Sequence, residues 1–159
     1  MIVVADTSPL NYLILIEQID ILPTLFGQVV VPRAVCDELL NIGAPGAMRR
    51  WMDPPPGWLE VRTPSKFIEL ICLDRGENDA ILIAEEISAE LLIMDDRRGH
   101  REARKRSIET IGTLALLELA SAAGLLDFDR AIQRLQKNKL LHNAGSVSSC
   151  AEKSVVTER

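Results

Sequence analysis

Six acidic residues carry the chemistry this sequence could do: Asp6, Glu38, Glu77, Asp79, Asp95 and Asp96. Asp6 and the Asp95-Asp96 pair each follow directly on a short apolar run, Glu77 and Asp79 stand where a helical period begins, and Glu38 lies past a second apolar run. Carboxylates gathered in one place repel, and they stay ionised at neutral pH only if a cation holds them. Mg2+ and Mn2+ take oxygen ligands and keep several waters. A divalent ion so held makes a water acidic enough to attack a phosphodiester, and a second ion can steady the leaving oxygen. The residue types therefore point to metal-assisted hydrolysis, provided the fold brings them together.

The elements that must position them can be read from periodicity. Ile2 to Ala5, Val29-Val30-Val31 and Leu91 to Met94 are short runs rich in β-branched and aliphatic residues, predicting strands buried on both faces. Trp58 to Arg62 and Ile108 to Ile111 predict two lesser strands. Between them lie helical segments: Leu10 to Ile16, a short piece near Ile19 to Leu25, one opened by Pro32 and holding Glu38, and a short one with Arg49, Arg50 and Trp51. A longer helix runs from the Leu73-Asp74-Arg75-Gly76-Glu77 segment to about Ile87, with Ala80, Ile83, Ala84 and Ile87 recurring at core-facing spacing. A basic helix follows Asp96, a helix capped by Thr113 ends at Gly124, and a last helix is capped by Asp127. Strand and helix in alternation mean an α/β fold with a mainly parallel sheet. Ligands in such sheets sit outside the carboxyl ends of the strands, at a topological switch point. If the first strand and the Leu91 strand are neighbours, Asp6, Asp95 and Asp96 converge on one edge, with Glu77 and Asp79 near it.

Each acid also has a plain structural role open to it. Asp6 could cap the first helix, a contact worth ~1 kcal/mol. Glu77 and Asp79 could be first-turn acids favoured by the helix dipole. Glu38 could be a surface acid, and Arg97 or Arg98 could pair with Asp95 or Asp96. The joint placement at strand ends favours a site over six separate coincidences.

Composition bounds the rest. A chain of 159 residues with 47% hydrophobic and 26% charged residues is one globular domain with a sizeable core. Aromatics at 4% make that core aliphatic and argue against a platform that stacks bases. The net charge of −5 is unusual for a nucleic-acid binder, yet Arg97, Arg98, Arg101, Arg104, Lys105 and Arg106 form a strip broken only by Glu102 among the charged residues. A charge run alone reads first as a solvated helix face; beside an acidic metal site it also suits a phosphodiester. Cys36, Cys72 and Cys150 form no Cys-x-x-Cys, and His100 and His142 are the only histidines, which leaves a zinc or haem centre few ligands to draw on and fits a reducing compartment, the cytoplasm. No signal-peptide pattern is present, and Asn11, Glu17 and Asp20 break the longest apolar stretch short of a membrane span. From Asn138 onward the period dissolves, so residues 138–159 are expected to be an irregular or disordered tail behind a domain at 1–137.

Other α/β chemistries fail on the same residues. A phosphate loop needs Gly-x-x-x-x-Gly-Lys, and a dinucleotide fingerprint needs glycines after the first strand, where Asp6-Thr7-Ser8-Pro9 stands instead. A haloacid-dehalogenase-type phosphatase wants a second Asp where Ser8 is, and a receiver domain wants its acidic pair on the first strand.

Asp6-Thr7-Ser8-Pro9-Leu10, Val31-Pro32-Arg33-Ala34-Val35 with Glu38, Leu73-Asp74-x-Gly76-Glu77-x-Asp79-Ala80-Ile81, Leu92-Ile93-Met94-Asp95-Asp96-Arg97-Arg98-Gly99 and Gly112-Thr113-Leu114, in that order, resemble a branch of the PIN-domain proteins similar to VapC-type toxin ribonucleases. The resemblance covers residues 1 to 137. It implies a three-layer α/β/α sandwich, Mg2+- or Mn2+-dependent RNA cleavage, a homodimer, and a small antitoxin partner. Carried over residue by residue, it makes Asp6, Glu38, Asp79 and Asp96 the catalytic set, with Glu77 and Asp95 as further metal candidates. It leaves Ser8 to orient a water or phosphate oxygen, and Arg97, Arg98 and Arg101 to contact the RNA backbone. The leading expectation is an endoribonuclease of a toxin–antitoxin pair. A binding or regulatory module is the second, and a small-molecule phosphatase a weaker third.

Overall fold

The computed structural model describes residues 1–41, 43–70 and 72–142. The apolar runs form the strands β1 (Val3–Ala5), β2 (Val29–Pro32), β3 (Leu59–Arg62), β4 (Leu91–Ile93) and β5 (Thr110–Ile111). They pair in the order β3-β2-β1-β4-β5, every pair parallel. The chain builds outward from β1 through β2 to β3, then returns to the other side of β1 for β4. The switch point is thus the β1–β4 seam, where Ala5 lies opposite Ile93 and the Asp6 amide donates to the Ile93 carbonyl at 3.0 Å.

Alternation along the strands divides the interior in two. Val3, Ala5, Val29, Val31, Leu91 and Ile93 face one layer, with α1 (Thr7–Leu15), α2 (Ile21–Phe26), α3 (Arg33–Leu40), α4 (Gly46–Met52), α7 (Thr113–Ala122) and α8 (Phe128–His142). Val4, Val30, Leu92 and Met94 face the other, packed on Ala80, Ile81, Ile83 and Ala84 of α5 (Arg75–Glu86) and Ala103 of α6 (Arg97–Lys105). This is a three-layer sandwich around a wholly parallel sheet. Strands buried on both faces need continuous apolar sequence, which is why β1, β2 and β4 are legible.

Local chemistry sets the helix starts. Asp74 and Glu77 form a capping box at the head of α5, and Asp127 accepts from the Arg130 amide at 2.9 Å before α8. Thr113 is the first residue of α7 and does not cap it; Gly112 holds the cap position, and the Thr113 side chain is drawn to Asp95 instead. Helix α8 continues to His142, so residues 138–142, expected as the start of an irregular tail, are helical. The rest of that expected tail, 143–159, lies outside the described residues. Among the described residues no helix is long and apolar enough to cross a membrane.

Candidate acidic site at the switch point

Asp6 ends β1 and stands at the N-cap position of α1, yet its side chain makes no cap hydrogen bond. It is 2% exposed, and its Oδ1 has no partner among the described residues. Burial pushes its carboxyl well above the usual range, and the charges of Asp74, Glu77 and Glu38 push it further, against the Thr7 backbone amide, which acts the other way. Capping therefore does not explain Asp6. A buried carboxylate without a full set of partners is costly in a native fold.

Glu38 reaches the same place from α3. Thr7 Oγ1 donates to Glu38 Oε2 at 2.6 Å, which joins the start of α1 to α3. Burial raises the Glu38 carboxyl, with Asp74 adding and the Thr7 hydroxyl and Gly76 amide offsetting. Gly76, in the first turn of α5, lets this approach happen: a Cβ there would stand 2.8 Å from Glu38 Oε1 and 3.2 Å from Thr7 Oγ1.

Glu77 is half structural and half open. One of its oxygens accepts from the Asp74 amide at 3.1 Å, closing the capping box. Burial and then the Asp74 charge raise it to about 7, with the Asp74 backbone bond lowering it and Asp96 and Glu38 adding to the rise. Asp79, two residues further along α5, is 2% exposed; Arg75 Nε donates to its Oδ2 at 2.9 Å, while its Oδ1 is buried without a partner among the described residues.

The adjacent aspartates after β4 part company. Asp95 has both oxygens bonded within the fold: Thr113 N donates to Oδ1 at 2.7 Å and Thr113 Oγ1 to Oδ2 at 2.6 Å. It pins the head of α7 to the end of β4, a structural role alongside the metal role expected of it, since each oxygen keeps a further lone pair. Asp96 caps α6 through Oδ2, which accepts from Gly99 N at 2.9 Å, and its charge bears on Glu77. Neither pairs with Arg97 or Arg98; both arginines are exposed, as is Arg101, and none of the three forms an ion pair among the described residues. Ser8 is half-buried in the first turn of α1.

The fold thus gathers Asp6, Glu38 and Glu77 with Asp96 at one side, and adds Asp74, which the sequence reading left out. The Asp74-x-x-Glu77 capping signature was there to be read. Thr7 and Gly76 carried no signal of their own as site residues. Among the described residues no three carboxylate, histidine or cysteine groups already stand close enough to enclose a metal ion. A closed cage is not what Mg2+ requires: it is usually held by one or two carboxylates and keeps several waters. The donor chemistry fits such an ion on two counts, the orphaned buried oxygen of Asp6 and the mutual repulsion of Asp6, Glu38 and Glu77.

Residues 2–153 match a family model described as a PIN domain. Among solved structures, the chain is similar to a PilT N-terminus domain protein from the hyperthermophilic archaeon Sulfolobus solfataricus. The two share 21% identity at a TM-score of 0.55, over 76% of this chain and 93% of that one. At that identity the likeness concerns the fold. No curated protein matches the chain.

Proposed function

We propose that this chain, which belongs to the PIN-domain family, is a metal-dependent endoribonuclease and the toxin of a toxin–antitoxin pair. PIN domains are generally nucleases and usually use divalent metal ions. The finer reading rests on one observation above the others: Asp6 lies buried at the switch point with an unpartnered oxygen, amid the charges of Glu38, Glu77 and Asp74. Asp6, Glu38, Asp79 and Asp96 are the ligands we assign, with Glu77 beside them. When bound, Mg2+ or Mn2+ would neutralise these charges and lower the pKa of a water.

The remaining roles belong to the chain's own groups. Thr7 holds one oxygen of Glu38 and leaves the other toward Gly76. Arg75 fixes Asp79 by one oxygen, which orients the second. The Gly99 amide does the same for Asp96. Ser8 is assigned to orient a water or phosphate oxygen, and Arg97, Arg98 and Arg101 to hold the RNA backbone. The free cysteines among the described residues, Cys36 and Cys72, suit the reducing cytoplasm. A homodimer and a small antitoxin complete the proposal.

The test is cleavage of a mixed cellular RNA pool by purified protein in Mn2+, Mg2+ or EDTA, with Asp6→Asn as control. Discrete cuts that need metal and vanish in the variant are the expected result. A folded protein that cuts nothing in any metal would sink the reading of an endoribonuclease that acts on the general RNA pool. The second reading, a binding module, would then stand; it is favoured by the absence of a closed three-ligand cluster among the described residues. Metal affinity of the two proteins by calorimetry separates it from a nuclease of very narrow substrate range.

A further inference from the structure

Helix α5 opens on a capping box whose two acids each use one oxygen and leave the other open. Asp74 Oδ1 accepts from Glu77 N at 2.8 Å, and Glu77 Oε2 accepts from Asp74 N at 3.1 Å. Among the described residues no donor reaches Asp74 Oδ2 or Glu77 Oε1, and neither acid forms an ion pair. This first turn is pressed against the acids of the neighbouring elements. Gly76, between the two, lies so near α3 that an added Cβ would meet Glu38 Oε1 at 2.8 Å. The same Cβ would meet Thr7 Oγ1 at 3.2 Å, and Thr7 follows Asp6, whose Oδ1 is buried and bonded to no described residue. The charge of Asp74 bears on Asp6, Glu38 and Glu77 alike. Exposure grades along the set: Asp6 is buried, Glu38 and Glu77 are half-buried, and Asp74 is exposed. Asp74 is thus the solvent-side member of one group of carboxylates.

Capping accounts for part of this arrangement. Asn or Ser at the cap position would accept from Glu77 N about as well as Asp does, and would add no charge to the three acids beside it. The helix dipole favours an acid in this turn, but Glu77 already answers it. The charge of Asp74 is therefore a cost that the helix start does not need, and a cation would offset it. One divalent ion balances only two of the four carboxylates Asp6, Glu38, Glu77 and Asp74. Among the described residues no three such groups enclose an ion, but Mg2+ needs only one or two carboxylates and fills the rest of its shell with water. Asp6 and Glu38 supply one such pair, and Asp74 and Glu77 another.

We propose that Asp74 is a metal-holding residue, whose open oxygen forms with that of Glu77 a second, solvent-side position for a divalent cation beside the one served by Asp6 and Glu38. The proposal rests on the metal-site reading above and adds Asp74 to it.

The test counts bound metal and does not depend on cleavage. Mn2+ is titrated by calorimetry into wild type, Asp74→Asn, Asp74→Ser, Asp37→Asn and Asp6→Asn, and the ions bound per chain are checked by electron paramagnetic resonance of free Mn2+. Asn and Ser both keep the cap, so the melting temperature in EDTA should hold or rise, and Asp74→Ser serves should Asp74→Asn misfold. Asp37→Asn removes the same charge from an exposed residue next to Glu38. Wild type should take up two ions. The Asp74 variants should lose one, or hold it more than about fivefold more weakly, the most that an exposed charge acting only from nearby would give. Asp37→Asn should match wild type. A single ion on wild type, two ions on the Asp74 variants with affinities within about fivefold of wild type, or an equal loss in Asp37→Asn would each overturn the proposal. If Asp6→Asn loses metal while the Asp74 variants keep both ions, the outer position falls and the metal-site reading stands. If wild type binds no Mn2+, both fall.

Discussion

Asp6 and Asp95 lie just past the carboxyl ends of neighbouring strands, Asp6 directly after β1 and Asp95 two residues after β4. Each follows a short strand, the two strands are parallel neighbours at the centre of the sheet, and a helix starts just beyond each. Their surroundings differ in kind. Asp95 has both oxygens bonded to one threonine, so its charge is met where it lies. Asp6 is buried among other carboxylates with one oxygen bonded to no described residue. A carboxylate with both oxygens bonded within the fold serves the architecture as it stands. A buried one left short of partners costs stability in the resting fold and stays useful only if a ligand completes it. The contrast makes opposite predictions for similar substitutions.

The largest effect should come from Asp6→Asn. RNA cleavage should fall at least about a hundredfold, or ~2.7 kcal/mol of transition-state stabilisation, while the melting temperature in EDTA holds or rises because a repelled charge is gone. A melting temperature that falls as far as in the Asp95 variant would erase the contrast. Asp95→Ala should do the opposite. It leaves the Thr113 amide and hydroxyl short of their acceptor and should cost ~1–3 kcal/mol in chemical denaturation, with Mn2+ affinity of the folded protein unchanged. A large loss of metal affinity with little loss of stability would return Asp95 to the ligand set.

Gly76→Ala sharpens the comparison from the side of Glu38. Replacing glycine inside a helix usually helps by ~0.5–1 kcal/mol, but here the new methyl meets Glu38 Oε1 at 2.8 Å. The Glu38 carboxylate should swing away, leaving stability within about 1 kcal/mol of the parent and weakening Mn2+ binding several-fold by calorimetry. Unaltered metal binding would remove Glu38 from the site.

The smallest effect is on pH. Glu77 is raised from its ordinary 4.5 to about 7, and Asp6 and Glu38 are raised too. The folded chain therefore holds these protons to higher pH than the unfolded chain, so stability from this source is full below about 4.5 and is lost as pH climbs through about 7. In EDTA the melting temperature should decline across that window, and Glu77→Gln should flatten the decline. Stabilisation by Mg2+ should be greater above the window than below it. A metal-free melting temperature that rises through the window would contradict the crowding of charge at the switch point.

Much of this was legible. The Val-rich runs declared β1, β2 and β4 because a strand buried on both faces tolerates little else, and the Ala80, Ile83, Ala84 period declared α5. That Asp6 and Asp96 would each stand past the carboxyl end of one of two strands followed from parallel topology. Thr113 read as a cap because its type and position suit one; its actual partner is 18 residues back, beside it only because β5 lies next to β4. Asn78 read as filler between two acids, since nothing local says that its amide will satisfy the backbone of residues 68 and 70. The end of α8 was misjudged because residues 138–142 lack a clear apolar period, yet the helix that began at Phe128 continues through them.

By itself the sequence determined the strand and helix order, the parallel class and the identity of the acids, because these depend on side-chain period and on neighbours a few residues apart. Only the tertiary structure decided which acids are open. How far a carboxylate is bonded depends on the donors that packing brings to it: Thr113 engages Asp95, Thr7 steadies Glu38, Arg75 takes one oxygen of Asp79, and no described residue reaches Asp6 Oδ1. Hydrogen-bond saturation is a property of packing, and short-range sequence does not encode it.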